Sequence, residues 1–115
     1  MIEDALAIPR LAALAHDVRL RAFRLLVSAG PSGLPSGAIA EALQVPPTAM
    51  SFHLSALERS GLLAARREGR NIFYAVQFEQ VRRLIAFLTE DCCGGRPELC
   101  GGPKAPAKRR KERAV

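Results

Sequence analysis

All three cysteines of the chain stand within nine residues, as Cys92-Cys93-Gly94-Gly95-Arg96-Pro97-Glu98-Leu99-Cys100. An odd, clustered set of thiols does not suit a structural disulfide framework, which needs pairs and an oxidising compartment. Zinc prefers four tetrahedral ligands, and neither a fourth thiol nor a nearby histidine is present; Asp91 or Glu98 would substitute poorly. Soft thiolates select thiophilic ions, and trivalent arsenic or antimony needs only three sulfurs because a lone pair fills the remaining position. Gly94-Gly95 lets the chain reverse and Pro97 shapes its return, so that Cys100 can face the vicinal pair. The same thiols also suit a redox switch, or stand as unreactive tail cysteines. A thiol oxidoreductase with Cys92 or Cys93 as nucleophile and Cys100 as resolving thiol lacks a general base and an oxyanion site, so no enzyme is expected.

A second constellation is basic and polar. Arg66, Arg67 and Arg70 bracket Glu68-Gly69, where a hairpin turn would bring guanidinium groups together against phosphates. Upstream, Thr48, Ala49, Ser51, Phe52, Ser55 and Arg59 fall on the helical face opposite Met50, Leu54 and Leu57. Thr and Ser hydroxyls bond base edges or phosphates, and an exposed Phe or Ala contacts a thymine methyl group. On their own the three arginines would read as a solvated strand edge. Directly after a helix-turn-helix pattern they read as a wing. His53, beside the inward Leu54, and His16, beside Asp17, read as packed, hydrogen-bonded residues rather than ligands or bases.

The elements that must position these groups are punctuated by Pro and Gly. Pro9 suits the first turn of a short helix through Leu11, Leu14 and Ala15. Asp17 is the expected N-cap of a second helix that stops at Gly30, with Leu20, Phe23, Leu26 and Val27 on one face. A short helix from about Pro35 to Leu43 is interrupted by Gln44-Val45-Pro46. Pro47 then opens the helix that carries Met50, Leu54 and Leu57, and Gly61 closes it. Leu62 to Arg67 and Arg70 to Val76 flank Glu68-Gly69, and Ile72, Tyr74 and Val76 alternate as in a half-buried strand. From Phe78 the 3.6 period returns through Val81, Leu84, Ile85 and Leu88, giving a last helix that ends near Asp91. The expected architecture is mainly α with a β-hairpin, a winged helix-turn-helix with an additional helix at each end.

Composition bounds the partners. The chain has 115 residues, 49% hydrophobic and 24% charged, with 5% aromatics and no Trp, which suits one packed, mostly helical domain. Its net charge of +6 is uneven: six basic residues against Glu112 between Pro103 and Val115 put +5 in that stretch and +1 in residues 1–102. Three segments are expected: residues 1–91 as the DNA-binding winged helix-turn-helix with its additional helices, 92–102 as the cysteine-containing metalloid segment, and 103–115 as a basic, disordered tail able to brush phosphates non-specifically. Uncharged stretches are broken by Pro, Gly and Ser, and Glu3 and Asp4 stand where a signal peptide would be basic. No membrane segment is therefore expected, and a cytoplasmic location is.

The run Ala49-Met50-Ser51-Phe52-His53-Leu54, then Leu57, Ser60-Gly61-Leu62, Arg66-Arg67-Glu68-Gly69-Arg70 and Tyr74, resembles the ArsR/SmtB family of bacterial metal-responsive repressors. The likeness covers roughly Leu11 to Leu88. It implies a homodimer paired through the first and last helices, bound to double-stranded operator DNA without a cofactor and released from it by an inducer. The chain departs from better-known members: Ser36 to Leu43 holds no cysteine pair, and Phe78 to Asp91 holds no histidine. A vicinal pair with a third cysteine a few residues on is similar to the relocated arsenic site of some members. The resemblance and the thiol chemistry together assign As(III) or Sb(III) to Cys92, Cys93 and Cys100.

Overall fold

The computed structural model describes residues 4–91. In chain order these form α1 (Asp4–Leu14), α2 (Asp17–Ala29), β1 (Leu34–Pro35), α3 (Ser36–Leu43), α4 (Pro47–Arg59), β2 (Leu63–Glu68), β3 (Asn71–Val76) and α5 (Phe78–Ala86), which continues as a π-helical turn, Phe87–Asp91. The expected order of two helices, a helix-turn-helix, a hairpin and a closing helix is present. The three cysteines and residues 103–115 lie outside the described residues.

Helix α1 begins before Pro9 instead of at it, and Pro9 sits inside. Its inward stripe is Ala7, Arg10 and Ala13, all buried, a spacing of three that small side chains and a polar one concealed in the sequence. Helix α2 is capped by His16, not Asp17: the His16 Nδ1 accepts the Val18 N–H at 3.1 Å, and Asp17 instead pairs with Arg21 one turn on. Ala22 and Leu26 are its buried residues, flanked by the partly buried Val18, Phe23 and Leu25. Leu20 and Val27, expected on the same face, are 45% and 42% exposed. The inward stripe is centred on a small alanine that lets neighbours approach closely, which rotates the helix away from the face its largest residues suggest.

The turn between α3 and α4 is closed by backbone bonds. Gln44 adopts the left-handed conformation, φ 57°. Its N–H donates to the Glu41 carbonyl at 3.2 Å while the Val45 N–H donates to the Ala40 carbonyl at 3.0 Å, the bonds of a Schellman stop. Pro46 and Pro47 then form the N-cap and first turn of α4, where a missing N–H costs nothing. Met50, Leu54 and Leu57 are fully buried, together with Leu26, Ile39, Leu62 and Leu63.

A third strand, not expected, completes the sheet in the order β1-β3-β2. Leu34 and Pro35 pair with Tyr74 and Phe73, so α3 starts at Ser36, one residue later than the sequence indicated. The hairpin register runs from Leu63 opposite Val76 to Glu68 opposite Asn71. The turn residues are therefore Gly69-Arg70, and the positive φ falls on Gly69, at 63°, the first central position where a type II′ turn requires glycine.

Gly33 generates a sharp prediction. Its φ is 71° and a Cβ there would lie 2.2 Å from the Tyr74 carbonyl oxygen, so Gly33→Ala should cost about 2 kcal/mol or more by forcing β1 off the sheet. Gly37, in α3, has open space around it, and Gly37→Ala should be neutral or stabilising by up to about 1 kcal/mol. Urea unfolding midpoints compare the two; equal effects would contradict the β1–β3 contact.

Candidate nucleic-acid interface

The outward face of α4 follows from its inward one. With Met50, Leu54 and Leu57 in the core, Thr48, Ser51, Phe52 and Arg59 are exposed and Ala49 and Ser55 half-buried. Phe52 is 60% exposed, an arrangement that leaves a large apolar ring free at the centre of a helix face. The face carries hydroxyls, a methyl group and an aromatic ring, with its one cation, Arg59, at the C-terminal end. Such a surface matches base edges and thymine methyls better than it matches phosphates alone.

Charge sits on the hairpin, though not as one cluster. The register places Arg66 opposite Phe73 and Arg67 opposite Ile72, and successive strand residues point to opposite faces. The structure thus separates Arg66 from Arg67, where the sequence suggested that all three guanidinium groups converge. Arg66 is also engaged within the molecule: its Nε donates to Glu68 Oε2 at 2.5 Å, its Nη2 to the Ser32 carbonyl at 3.4 Å, and its guanidinium lies 4.9 Å from the Phe73 ring centroid. Arg67 and Arg70 are exposed and form no ion pair among the described residues. Those two are the wing cations free to meet phosphate.

The orientation of α4 relative to this wing is set at Ser60–Leu63. Arg10, only 7% exposed, donates from Nε to the Ser60 carbonyl at 2.8 Å and from Nη1 to Gln80 Oε1 at 3.0 Å. Gln77 donates from Nε2 to the Gly61 and Leu63 carbonyls at 3.2 and 3.3 Å. Sequence reasoning missed both residues, because a lone Arg in a first helix and a Gln after a strand carry no local signal.

Both histidines are hydrogen-bonded, as their positions suggested, but His16 is exposed rather than packed. His16 caps α2, and the half-buried His53 accepts from Arg19 Nε at 3.2 Å through Nδ1. Burial, followed by the neighbouring His16 and Arg19, holds the His53 pKa below its ordinary value of 6.5. Among the described residues no group of three or more His, Cys, Asp or Glu is arranged to hold a metal ion, and no helix is long and apolar enough to cross a membrane.

The geometry separates two roles by their salt dependence. Replacing Arg67 or Arg70 with Ala should weaken binding to all duplexes alike and lower the salt slope by about one per residue, as lost phosphate contacts do. Arg66→Ala should lower it less, since Arg66 is already held by Glu68 and Ser32. Phe52→Ala or Thr48→Ala should instead reduce discrimination between a selected and a scrambled duplex with the slope intact. Fluorescence anisotropy across a salt series checks each outcome.

Comparison with known proteins agrees with this geometry. A helix-turn-helix domain family matches residues 14–66. The transcriptional activator HlyU of Vibrio cholerae serotype O1 is 30% identical over 90 residues, covering 78% of this chain and 81% of HlyU. A solved HlyU structure from Vibrio cholerae superposes with a TM-score of 0.62, covering 80% of this chain and 99% of that one. A homodimeric winged helix-turn-helix DNA-binding domain from Mycobacterium bovis, described as a possible ArsR-family transcriptional regulator, is 32% identical with a TM-score of 0.62, over 77% of this chain and 80% of that one. The transcriptional repressor BigR from Xylella fastidiosa is 25% identical with a TM-score of 0.56, over 71% and 82% of the two chains. The chain belongs to the ArsR/HlyU family of winged helix-turn-helix transcriptional regulators.

Proposed function

We propose that this regulator is a homodimeric repressor released from its operator by trivalent arsenic or antimony held by Cys92, Cys93 and Cys100. The observation that carries this reading is the thiol cluster itself: in sequence, a vicinal pair and a third cysteine follow directly on the π-helical turn Phe87–Asp91. Three soft sulfurs are a complete donor set for a three-coordinate thiophilic ion and an incomplete one for zinc. The proposed role is regulatory and includes no catalytic step.

Dimerisation is supported by apolar side chains that the folded protomer leaves uncovered. Leu6, Ile8 and Leu11 on α1, and Ile85 and Leu88 on α5 and its extension, are exposed, and the Mycobacterium bovis relative is described as homodimeric. A two-fold dimer would present two α4 helices to major grooves about one helical turn apart. Binding of the ion beside the last helix would then act on the spacing or tilt of the protomers. By linkage, the coupling that weakens DNA binding weakens ion binding on DNA equally, and such couplings are about 1–3 kcal/mol, or roughly 5- to 150-fold.

The test uses a duplex selected by the wild-type protein from a randomised library, under reducing conditions, with and without arsenite. Cys92→Ser, Cys93→Ser and Cys100→Ser should each bind it like the parent and lose most of the release, because two sulfurs and a hard hydroxyl make a poor soft-ion site. Removal of residues 103–115 should preserve release and cost only non-specific affinity. If Cys100→Ser is still released like the parent, a two-thiol site on Cys92 and Cys93 replaces the three-thiol one. Release by hydrogen peroxide but not by arsenite would make the protein a thiol-redox repressor instead.

A further inference from the structure

Residues of α2 and its cap meet α4 where Phe52 is exposed. The Arg19 guanidinium carbon lies 5.9 Å from the Phe52 ring centroid, while its Nε donates to His53 Nδ1 at 3.2 Å. One cation is therefore hydrogen-bonded to one residue of the reading helix and within cation–π range of the residue before it. The His16 ring centroid stands 4.4 Å from that of His53, and Phe52 meets His53 edge-on at 5.5 Å. Among the described residues the ion pairs are Arg21–Asp17, Arg66–Glu68, Arg82–Glu79 and Arg83–Glu79, so Arg19 has no carboxylate partner there. With Arg59 it lines an open groove of about 300 Å³ between α1, α2 and α4. A duplex docked on α4 would bring phosphates to that edge.

We propose that Arg19 is a DNA-interface positioning residue, which holds Phe52 by its ring and His53 by Nδ1 while its remaining N–H groups take a phosphate beside the major groove. The geometry suits arginine alone: a planar guanidinium can face a ring and donate in its plane at once, whereas an ammonium acts as a point charge. The clamp also requires neutral His53, because a protonated imidazole donates from both nitrogens and cannot accept from Arg19.

The groups around His53 favour the neutral form. From α2 these are His16 and Arg19, both of which oppose a charge on it; Asp17 is engaged by Arg21. From α1 the groove receives Pro9, Ala12 and Ala13, none of them charged. On α4, Glu58 and Arg59 are more than a turn away in sequence. With the folded pKa below 6.5, the neutral state and the clamp are fully present above about pH 6.5 and are lost as pH falls through the lowered value.

This inference rests on DNA binding by α4 and not on the thiolate reading, and its assay contains no metalloid. Anisotropy compares the wild-type-selected duplex with a scrambled one, across salt, at about pH 8 and about pH 5.5. Arg19→Gln should lower the salt slope by about one and the selected-to-scrambled ratio roughly three- to tenfold. Arg19→Lys should keep the slope and still lose the ratio. Any fall in the parent ratio on acidification should be absent from His53→Asn, whose amide oxygen can take the place of Nδ1 as acceptor without titrating. A parent-like ratio in Arg19→Gln, a uniform loss on both duplexes in both Arg19 variants, or an acid-induced fall in the ratio that is equal in the parent and in His53→Asn overturns the proposal. A wild-type protein that selects no duplex overturns the DNA reading beneath it.

Discussion

The turn from Ser60 to Leu63 joins the recognition helix to the wing, and it is held from both sides by side chains that start elsewhere. Arg10 reaches it from α1 and Gln77 from the entry to α5. A buried guanidinium would be costly without partners. Here it meets the Ser60 carbonyl at the C-terminal end of α4, where the helix dipole is negative, and the amide oxygen of Gln80. A hydrogen bond to a charged group contributes about 1.5–3 kcal/mol, about twice that of a neutral pair. Gly61 belongs to the same device: a Cβ there would lie 2.6 Å from Arg10 Nη2, so a side chain at this residue would displace the guanidinium from its present position.

That clamp connects the two ends of the functional argument. The helices proposed to pair the protomers, α1 and α5, are the ones that supply Arg10, Gln80 and, just before α5, Gln77. The reading helix and the wing therefore have their relative orientation set by the elements proposed to form the dimer. A shift of α1 or α5 against a partner would be felt at Ser60–Leu63 through short hydrogen bonds rather than through a loop.

The surface offered to DNA divides its labour. The middle of α4 is uncharged and suited to base edges, while cations lie around it: Arg67 and Arg70 on the wing, Arg59 at the helix end and Arg19 on α2. In the proposed interface residues 1–102, with a net charge of only +1, would still present a rim of cations to phosphates, because what counts is where cations stand relative to the groove. Arg66 shows the converse, a cation on the wing already satisfied within the fold.

Local periodicity and turn chemistry determined most of the architecture from the sequence alone. Met50, Leu54 and Leu57 share a face at any helical spacing, Gly30, Gly61 and Gly69 mark stops and turns by their freedom at positive φ, and the alternation of Ile72, Tyr74 and Val76 belongs to a strand in any context. The thiol set Cys92, Cys93 and Cys100 lies outside the described residues, and the chemistry proposed for it rests on residue type and count alone. Tertiary structure decided what depends on contacts between distant positions. The pairing of Leu34 with Tyr74, the reach of Arg10 across fifty residues to Ser60, the rotation of α2 that exposes Leu20 and Val27, and the meeting of Arg19 with Phe52 and His53 have no local signature. Each arises because packing brings remote segments to within hydrogen-bonding or van der Waals distance, and the pattern along a single segment carries no information about which partner it will meet.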